Sequence, residues 1–315
     1  MNILFIGNFT GHPMHGAELP DEISVADAFE FYDHEVTRLQ RDEMLSLFKK
    51  NQSLGGTTHD LIIVAKWHNL NSAIIEWLKS SGTPVIYWPF DLMVRNGKSP
   101  EWHLSTAMAA DCMLSKDLFF EKGYKKMGIN FQYLSLDSAA DWFRPVWGVE
   151  PEFDLLFTGQ PIEGERLDII QRLLRHGYDL RIYGNKEQWA AYGIKAYDGV
   201  YDKDYGGLVA KAKASIAVDF EHVEGYWSNR IAKVMCCGGI VLTKYTTGMN
   251  KRFGDYVMYW KDYEELTGLI KVILNSPNFV KNERERVFNF ADTHLRTRHV
   301  VGDLLDMYEK GKLGL

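Results

Sequence analysis

The sequence predicts two consecutive Rossmann-like α/β domains, and three observations carry that expectation. Short apolar runs alternate with helical patterns from the first residues to about position 134. The segment 137–153, DSAADWFRPVWGVEPEF, then breaks the rhythm with two prolines and no clear periodicity. After it the alternation restarts and continues to about position 260. Strands separated by helices form parallel sheets covered on both faces. At 315 residues the chain is long enough for two cores, because domains cluster at roughly 100 to 200 residues. The expected limits are 1–148 for the first domain and 149–296 for the second, with 297–315 as a closing helix that packs back on the first domain. Open parallel sheets bind ligands in crevices at the carboxyl ends of their strands, so two domains facing one another share a central cleft.

The first half opens with a strand over 2–6 ending at Gly7, a loop GNFTGHPMHG, and a helical pattern from about Glu18 to Phe31. The loop lacks the G-x-G-x-x-G of a dinucleotide site. Strands follow at 34–39, 61–65 (LIIVA), 84–88, 111–114 and 130–134, with helices at 70–79, 101–109 and 117–126 and a WPFD turn after the third of those strands. The second half reads strand FDLLFTG, helix 163–176, strand 178–183, helix 186–191, a short strand near 194–200, helix 203–212, strand SIAVDF, a helix from Ser228, and strands GIVLT and YVMYW. Asp262 and Glu265 have capping-box spacing and open a helical tail, continued at 278–293 and 297–311. Val300, Leu304, Leu305 and Tyr308 share one stripe of the last helix, which suits it to pack on the first domain.

Composition narrows the classes. Apolar content of 46% and charge of 25% are those of an ordinary globular protein, and a net charge of -6 offers no global field for nucleic acid or anionic membrane. No apolar run approaches the roughly 18 residues of a membrane span, and MNILFIGNF lacks the basic start of a signal peptide. Cys112, Cys236 and Cys237 have no metal-ligand spacing. The expectation is a reduced, cytoplasmic protein without a transmembrane helix.

The second half is organised around GYWSNRIAKVMCCGG, 225–239. Ser228 is placed to cap a helix whose buried stripe is Ile231, Val234, Met235 and Gly238. Arg230 and Lys233 lie three apart in its first turns, where the helix dipole disfavours cations unless an anion lies there too. Free amides flanked by Arg and Lys make a phosphate or diphosphate site. The plain alternative is that both cations pair with Glu221 and Glu224. Upstream, Thr158, Gly159 and Arg166 fall where the first strand of this half turns into its helix; glycine admits a phosphate close to the backbone and Arg166 reaches the same anion. A strand-to-helix turn with a surface arginine is the other reading. Tyr183, Gly184 and Asn185 end the next strand, where a base can stack.

FDLLFTGQPIEGERLDIIQRLLRHGYDLRIYGN, YGGLVAKAKASIAVDF, GYWSNRIAKVMCCGGIVLTKYTTGMNKRFGD and WKDYEEL, in that order, resemble the C-terminal half of GT-B glycosyltransferases, specifically the CgeB-like branch related to glycosyltransferase family 4. The resemblance covers about 150–300; the first half matches only as a strand, loop and helix leading to YDHEVTRL. It implies a nucleotide-sugar donor on the second domain and an acceptor on the first. Ser228 and Arg230 match positions near the donor diphosphate or sugar, and Tyr226, Asn229 and Glu224 lie beside them in the same motif. Lys233 departs from the pattern, since many family 4 enzymes carry a ribose-binding glutamate there; a second phosphate cation is the role its charge suits, leaving Glu224 or Asp219 for the ribose.

Transfer requires an acceptor hydroxyl to be positioned or deprotonated and the leaving diphosphate to be stabilised. Arg230, Lys233 and Arg166 suit the second task without a metal ion, so no metal and no bound cofactor are expected, only the nucleotide-sugar co-substrate, a UDP-sugar being the commonest choice. For the first task the candidates are Asp91 in WPFD and His12, His15 and Glu18 in or after the first loop, with His68 after the LIIVA strand. Trp67, Trp88, Trp102, Trp142 and Trp147 are read as core first and sugar platforms second. A hydroxylated base in DNA is one acceptor, for which Lys49, Lys50, Lys122, Lys125 and Lys126 supply local positive charge. The alternatives are a GT-B sugar-nucleotide epimerase and a non-catalytic nucleotide-sugar-binding protein, the latter motivated by Lys233. Retention of configuration follows from family 4 alone. The acceptor, the sugar and the oligomeric state are not readable.

Overall fold

The computed structural model describes residues 1–11, 19–52, 54, 58–95, 97–219 and 221–315. It divides into two compact units: Met1–Leu136 with Thr297–Leu315, and Asp137–Arg296.

The first unit is a six-stranded sheet, every pairing parallel, in the order β2-β1-β3-β4-β5-β6. Its strands are β1 (Asn2–Gly7), β2 (Glu35–Gln40), β3 (Leu61–Ala65), β4 (Val85–Trp88), β5 (Cys112–Ser115) and β6 (Phe131–Tyr133). Between them run α1 (Asp21–Phe31), α2 (Arg41–Lys49), α3 (Ser72–Lys79), α4 (Glu101–Ala109) and α5 (Glu121–Lys126), the last preceded by a 3-10 turn, Leu118–Phe120. Alternation in β1 sends Ile3 and Phe5 to one core, with Val25 and Phe29 of α1, and Leu4 and Ile6 to the other, with Ile74 and Leu78 of α3. Asn71 caps α3, its side chain accepting from the Ile74 amide at 3.2 Å.

The second unit is a five-stranded parallel sheet in the order β11-β10-β9-β7-β8. Its strands are β7 (Phe153–Thr158), β8 (Leu180–Tyr183), β9 (Ala212–Ala217), β10 (Val241–Lys244) and β11 (Met258–Trp260). Its helices are α6 (Glu165–His176), α7 (Lys186–Ala190), α8 (Asp202–Ala210), α9 (Arg230–Cys236), α10 (Met249–Phe253), α11 (Tyr263–Asn275) and α12 (Pro277–His294). The last helix, α13 (Thr297–Glu309), belongs to the first unit, where it lies against α1 with Val300, Val301, Leu304 and Leu305 buried. The Asp262 carboxylate accepts the Glu265 amide at 2.9 Å, and Glu265 reaches back to the Lys261 amide at 2.8 Å, one residue earlier than a capping box requires.

The units divide at 136/137, twelve residues before the expected 148/149. Side chains of the second unit hold the intervening segment. Asp137 accepts from Arg252 Nε at 2.9 Å and from the Trp227 indole. Ala139 donates to the Leu295 carbonyl at 2.8 Å, and Arg296 donates to the carbonyls of Ala140 and Phe143 at 3.1 and 2.7 Å. Four elements differ from the sequence reading. The strand expected near 194–200 is a single bridge, Tyr183 to Tyr197. SIAVDF is shifted: β9 begins at Ala212 and ends at Ala217, leaving Val218 and Asp219 beyond the strand. The helices α2 and α10 are additions that the sequence reading does not place.

Among the described residues no helix is long and apolar enough to cross a membrane. All three cysteines are free and buried, and burial pushes the thiols up, those of Cys112 and Cys236 to about 12.

Candidate functional site

In the second unit β8 lies on one side of β7 and β9 on the other, so the chain reverses its direction of winding between β7 and β9. Ligands of open α/β sheets bind at the carboxyl ends flanking such a switch. The residues there are Thr158 at the end of β7, Gly159 after it, and Val218 and Asp219 after β9.

Two arginines converge on this point. Arg166, in the first turn of α6, is buried; its Nε donates to the Val218 carbonyl at 2.8 Å and its Nη1 to the Gln160 carbonyl at 3.3 Å. Burial, and then the Arg230 charge beside it, lower its pKa to about 10, so it stays charged at neutral pH. The Arg230 guanidinium lies 5.4 Å from the Phe157 ring centroid, and its Nη1 is buried with no partner. Asp219 is 4% exposed; one carboxylate oxygen accepts the Ser228 amide at 3.3 Å and the other, also buried, has no partner. Burial raises its pKa against the pull of Arg230. Two cations and one acid thus face each other with hydrogen-bonding capacity unused, an arrangement that buried polar groups rarely leave standing.

Glycine is required twice here. Gly159 has φ +144°, and a Cβ on it would meet Arg230 Nη2 at 2.8 Å. A Cβ on Gly184 would lie 2.3 Å from the Gly159 carbonyl oxygen, whose place is fixed by the Trp189 indole donating at 2.9 Å. Gly184→Ala is therefore expected to push the 159 backbone off its position at a cost of about 1–3 kcal/mol. Thermal unfolding of the variant measures this.

The structure brings together Gly159, Arg166, Arg230, Ser228 and the ends of β7 and β9, and separates others. Ser228 caps as expected, in that its hydroxyl accepts the Arg230 amide at 3.2 Å, although the helix proper starts at Arg230 with Asn229 as the flanking residue. Gly238 lies beyond the helix, at φ +71°. Lys233 diverges from Arg230: its ammonium lies 5.2 Å from the Phe143 ring centroid, while both charges act on the buried Tyr205 phenol, which is bonded to Thr158 Oγ1 at 3.0 Å. The pairing of Arg230 with Glu221 or Glu224 does not form, and Glu224 is exposed. Tyr226 is as buried as Asp219 and Arg166. Tyr183 stacks on Tyr197, centroids 5.0 Å apart at 25°. The sequence reading missed Glu165, whose carboxylate bridges His222 Nε2 at 2.8 Å and the Lys244 ammonium; only the tertiary fold joins these three. Among the described residues no group of three or more His, Cys, Asp or Glu is arranged to hold a metal. The D-x-D spacing of Asp202 and Asp204 opens α8, with Asp202 accepting from the Trp142 indole at 3.2 Å.

The first unit has its own switch, between β1 and β3. A cavity of about 360 Å³ opens there, lined by Asn8, Glu22, Arg41, Lys66, His68 and Asp91 among others. Asp91 follows β4 and forms an ion pair with Lys66, which follows β3. Burial lowers the Lys66 pKa to about 8, with Lys116 and Arg95 adding repulsion. Asp91 sits on a γ-turn: its amide donates to the Pro89 carbonyl at 2.8 Å across Phe90, at φ +63°. Such a turn costs of the order of 1–3 kcal/mol and persists where its surroundings over-determine it.

Glu22 in α1 is an acid of this cavity that sequence reasoning did not single out. Burial raises its pKa from 4.5 to about 7, only partly offset by the Asn8 amide donating to it at 3.3 Å. An acid whose folded pKa is raised costs stability as pH climbs between the two values. Relative to the native chain, Glu22→Gln is thus expected to gain stability from pH 4.5 to about 7 and to stay level above that. Urea unfolding of both proteins across this range measures the difference.

His12, His15 and Glu18 lie outside the described residues. Lys49 and Lys50 end α2 beside one edge of the sheet, whereas Lys122, Lys125 and Lys126 are on α5 beside the other, so they do not form one basic patch. A larger cavity, about 840 Å³, lies in the second unit around Trp147, Lys213 and Phe288, by the amino ends of β7 and β9 and away from both sets of residues.

Residues 166–306 match the family model described as glycosyl transferase-like. No curated protein matches the sequence. Among solved structures, sucrose-phosphate synthase from Thermosynechococcus elongatus superposes with a TM-score of 0.70 at 10% identity, covering 98% of each chain. Anabaena HepE in complex with UDP-glucose gives 0.62 at 13% identity, over 98% of this chain and 100% of that one. A DNA-modifying β-glucosyltransferase gives 0.64 at 15% identity over the whole of both chains. These likenesses establish a GT-B glycosyltransferase fold.

Proposed function

We propose that the protein transfers a sugar from a nucleotide diphosphate sugar, a UDP-sugar before others, to a hydroxyl acceptor. The observation that carries the reading is the meeting of two arginines at the switch point of the second unit, Arg166 on the Val218 and Gln160 carbonyls and Arg230 with its Nη2 against Gly159 and its Nη1 without a partner. Two guanidiniums against a glycine backbone suit a diphosphate, and they favour the leaving group more as its charge grows. That charge makes transfer without a metal ion the natural reading. Asp219 and Ser228 are the neighbouring groups for donor hydroxyls.

The acceptor side is assigned to the cavity of the first unit. In this reading Asp91 accepts the proton of the attacking hydroxyl, with Lys66 paired to it and Glu22 supplying a second carboxyl that titrates near neutrality. Sugars are the first acceptors to assay, and the likeness to a DNA-modifying β-glucosyltransferase puts hydroxymethylated DNA bases beside them. Retention of configuration is the reading that the family 4 resemblance supports. A reducing, cytoplasmic setting suits the three buried thiols.

A thermal-shift screen of UDP-, GDP-, ADP- and dTDP-sugars in EDTA tests the donor assignment. One nucleotide is expected to raise the melting temperature by several degrees, about the effect of ligand at 100 times its Kd. No shift with any of them favours a protein that does not use nucleotide sugars.

A further inference from the structure

The turn that carries Asp91 is braced from inside the first unit. Asp117, just past β5, has no exposed surface. Its Oδ1 accepts the Met93 amide at 3.1 Å, and its Oδ2 accepts the Ser115 hydroxyl at 3.1 Å and the Tyr124 phenol at 2.8 Å. Because Tyr124 donates to Asp117, its oxygen is left to accept from His103 Nε2 at 3.2 Å. His103 Nδ1 then accepts from the Tyr87 phenol at 3.0 Å. Burial holds the imidazole neutral, its pKa lowered to about 4, as that order of donors requires. The chain Tyr87, His103, Tyr124 thus donates in one direction and ends on the Asp117 carboxylate, which also accepts a backbone amide two residues after Asp91. On the other side of the turn, the Phe90 ring packs edge-on against Trp88 at 4.9 Å and Phe5 at 6.4 Å.

We infer that Asp117 is a positioning residue, which through the Met93 amide fixes the strained turn at Phe90 and so aims the Asp91 carboxylate into the cavity of the first unit. The role rests on the reading of Asp91 as the acceptor-side base. The fully buried Asp117 carboxylate gathers these donors with no cation partner among the ion pairs of the described residues and without lining the cavity itself, while its own amide donates to Ser115 Oγ at 3.2 Å.

The test is hydrogen exchange and steady-state kinetics on the full chain, with UDP-glucose as probe and UDP release as readout. Asp117→Asn keeps the volume but leaves one acceptor oxygen for three donors. Amides of 90–95 are expected to exchange about tenfold faster in the variant while those of α6 do not change. UDP release is expected to slow about tenfold in kcat with KM for UDP-glucose unchanged. Added to Asp91→Asn, the substitution is expected to slow release no further. If Asp117→Asn does not fold, Tyr124→Phe removes one donor and is expected to show the same effects in smaller degree. Unchanged exchange at 90–95 in a folded variant overturns the inference, as does an equal slowing with and without Asp91. Full UDP release by Asp91→Asn instead overturns the base assignment, and exchange alone then decides whether Asp117 holds the turn.

Discussion

Replacing Arg230 with alanine is expected to weaken UDP-glucose binding by roughly 10- to 150-fold, the loss of a charge-assisted contact of about 1.5–3 kcal/mol. The fold should survive, because the guanidinium makes no ion pair that the unit depends on and its Nη1 has no partner to lose. Arg166 is different. It ties α6 to the Val218 and Gln160 carbonyls, so Arg166→Ala is expected to lower the melting temperature as well as the affinity. The contrast between the two substitutions, read by calorimetry and thermal unfolding, separates a cation that serves the ligand alone from one that also holds the fold. Unchanged affinity in Arg230→Ala means that α9 does not face the diphosphate.

Asp91→Asn is expected to lower the transfer rate by about 10²–10⁴-fold, the range of a positioned general base, while leaving the donor Kd unchanged. The amide keeps the size of the side chain but cannot take the proton, and it gives up the ion pair with Lys66. The Lys66 ammonium is then left with its burial and the repulsion of Lys116 and Arg95, against the pull of Glu22. The assay is single-turnover transfer to a panel of hydroxyl acceptors, with donor binding followed separately. Equal rates remove Asp91 from the reaction.

The parallel alternation was legible because buried strands such as LIIVA and the helices between them carry different periods, and chain length allows two cores. Helix α2 was not, since only Met44 of its nine residues is fully buried and charged residues open it. The donor side was legible in part. Arg230, Arg166 and Gly159 stand in turns that a sequence can mark, but the need for glycine at 184 arises from a carbonyl 25 residues earlier in the chain, and no local signal reports it. Asp219 gained its place only because β9 stops at Ala217 instead of running on through SIAVDF. Lys233 shows the limit of spacing: three residues apart on one helix, it and Arg230 still settle over different rings, Phe143 and Phe157. Glu22 was invisible because its raised pKa comes from burial, which the sequence of α1 does not disclose.

The central claim is that the diphosphate of a nucleotide sugar is held by Arg166 and Arg230. Calorimetric titration of the protein with uridine, UMP and UDP in EDTA addresses it most directly. The account predicts that UDP binds at least about tenfold more tightly than UMP and that uridine is weaker still, with the advantage of UDP largely lost in Arg230→Ala. Equal affinities for the three, or a preference for UDP that survives the loss of Arg230, contradict it.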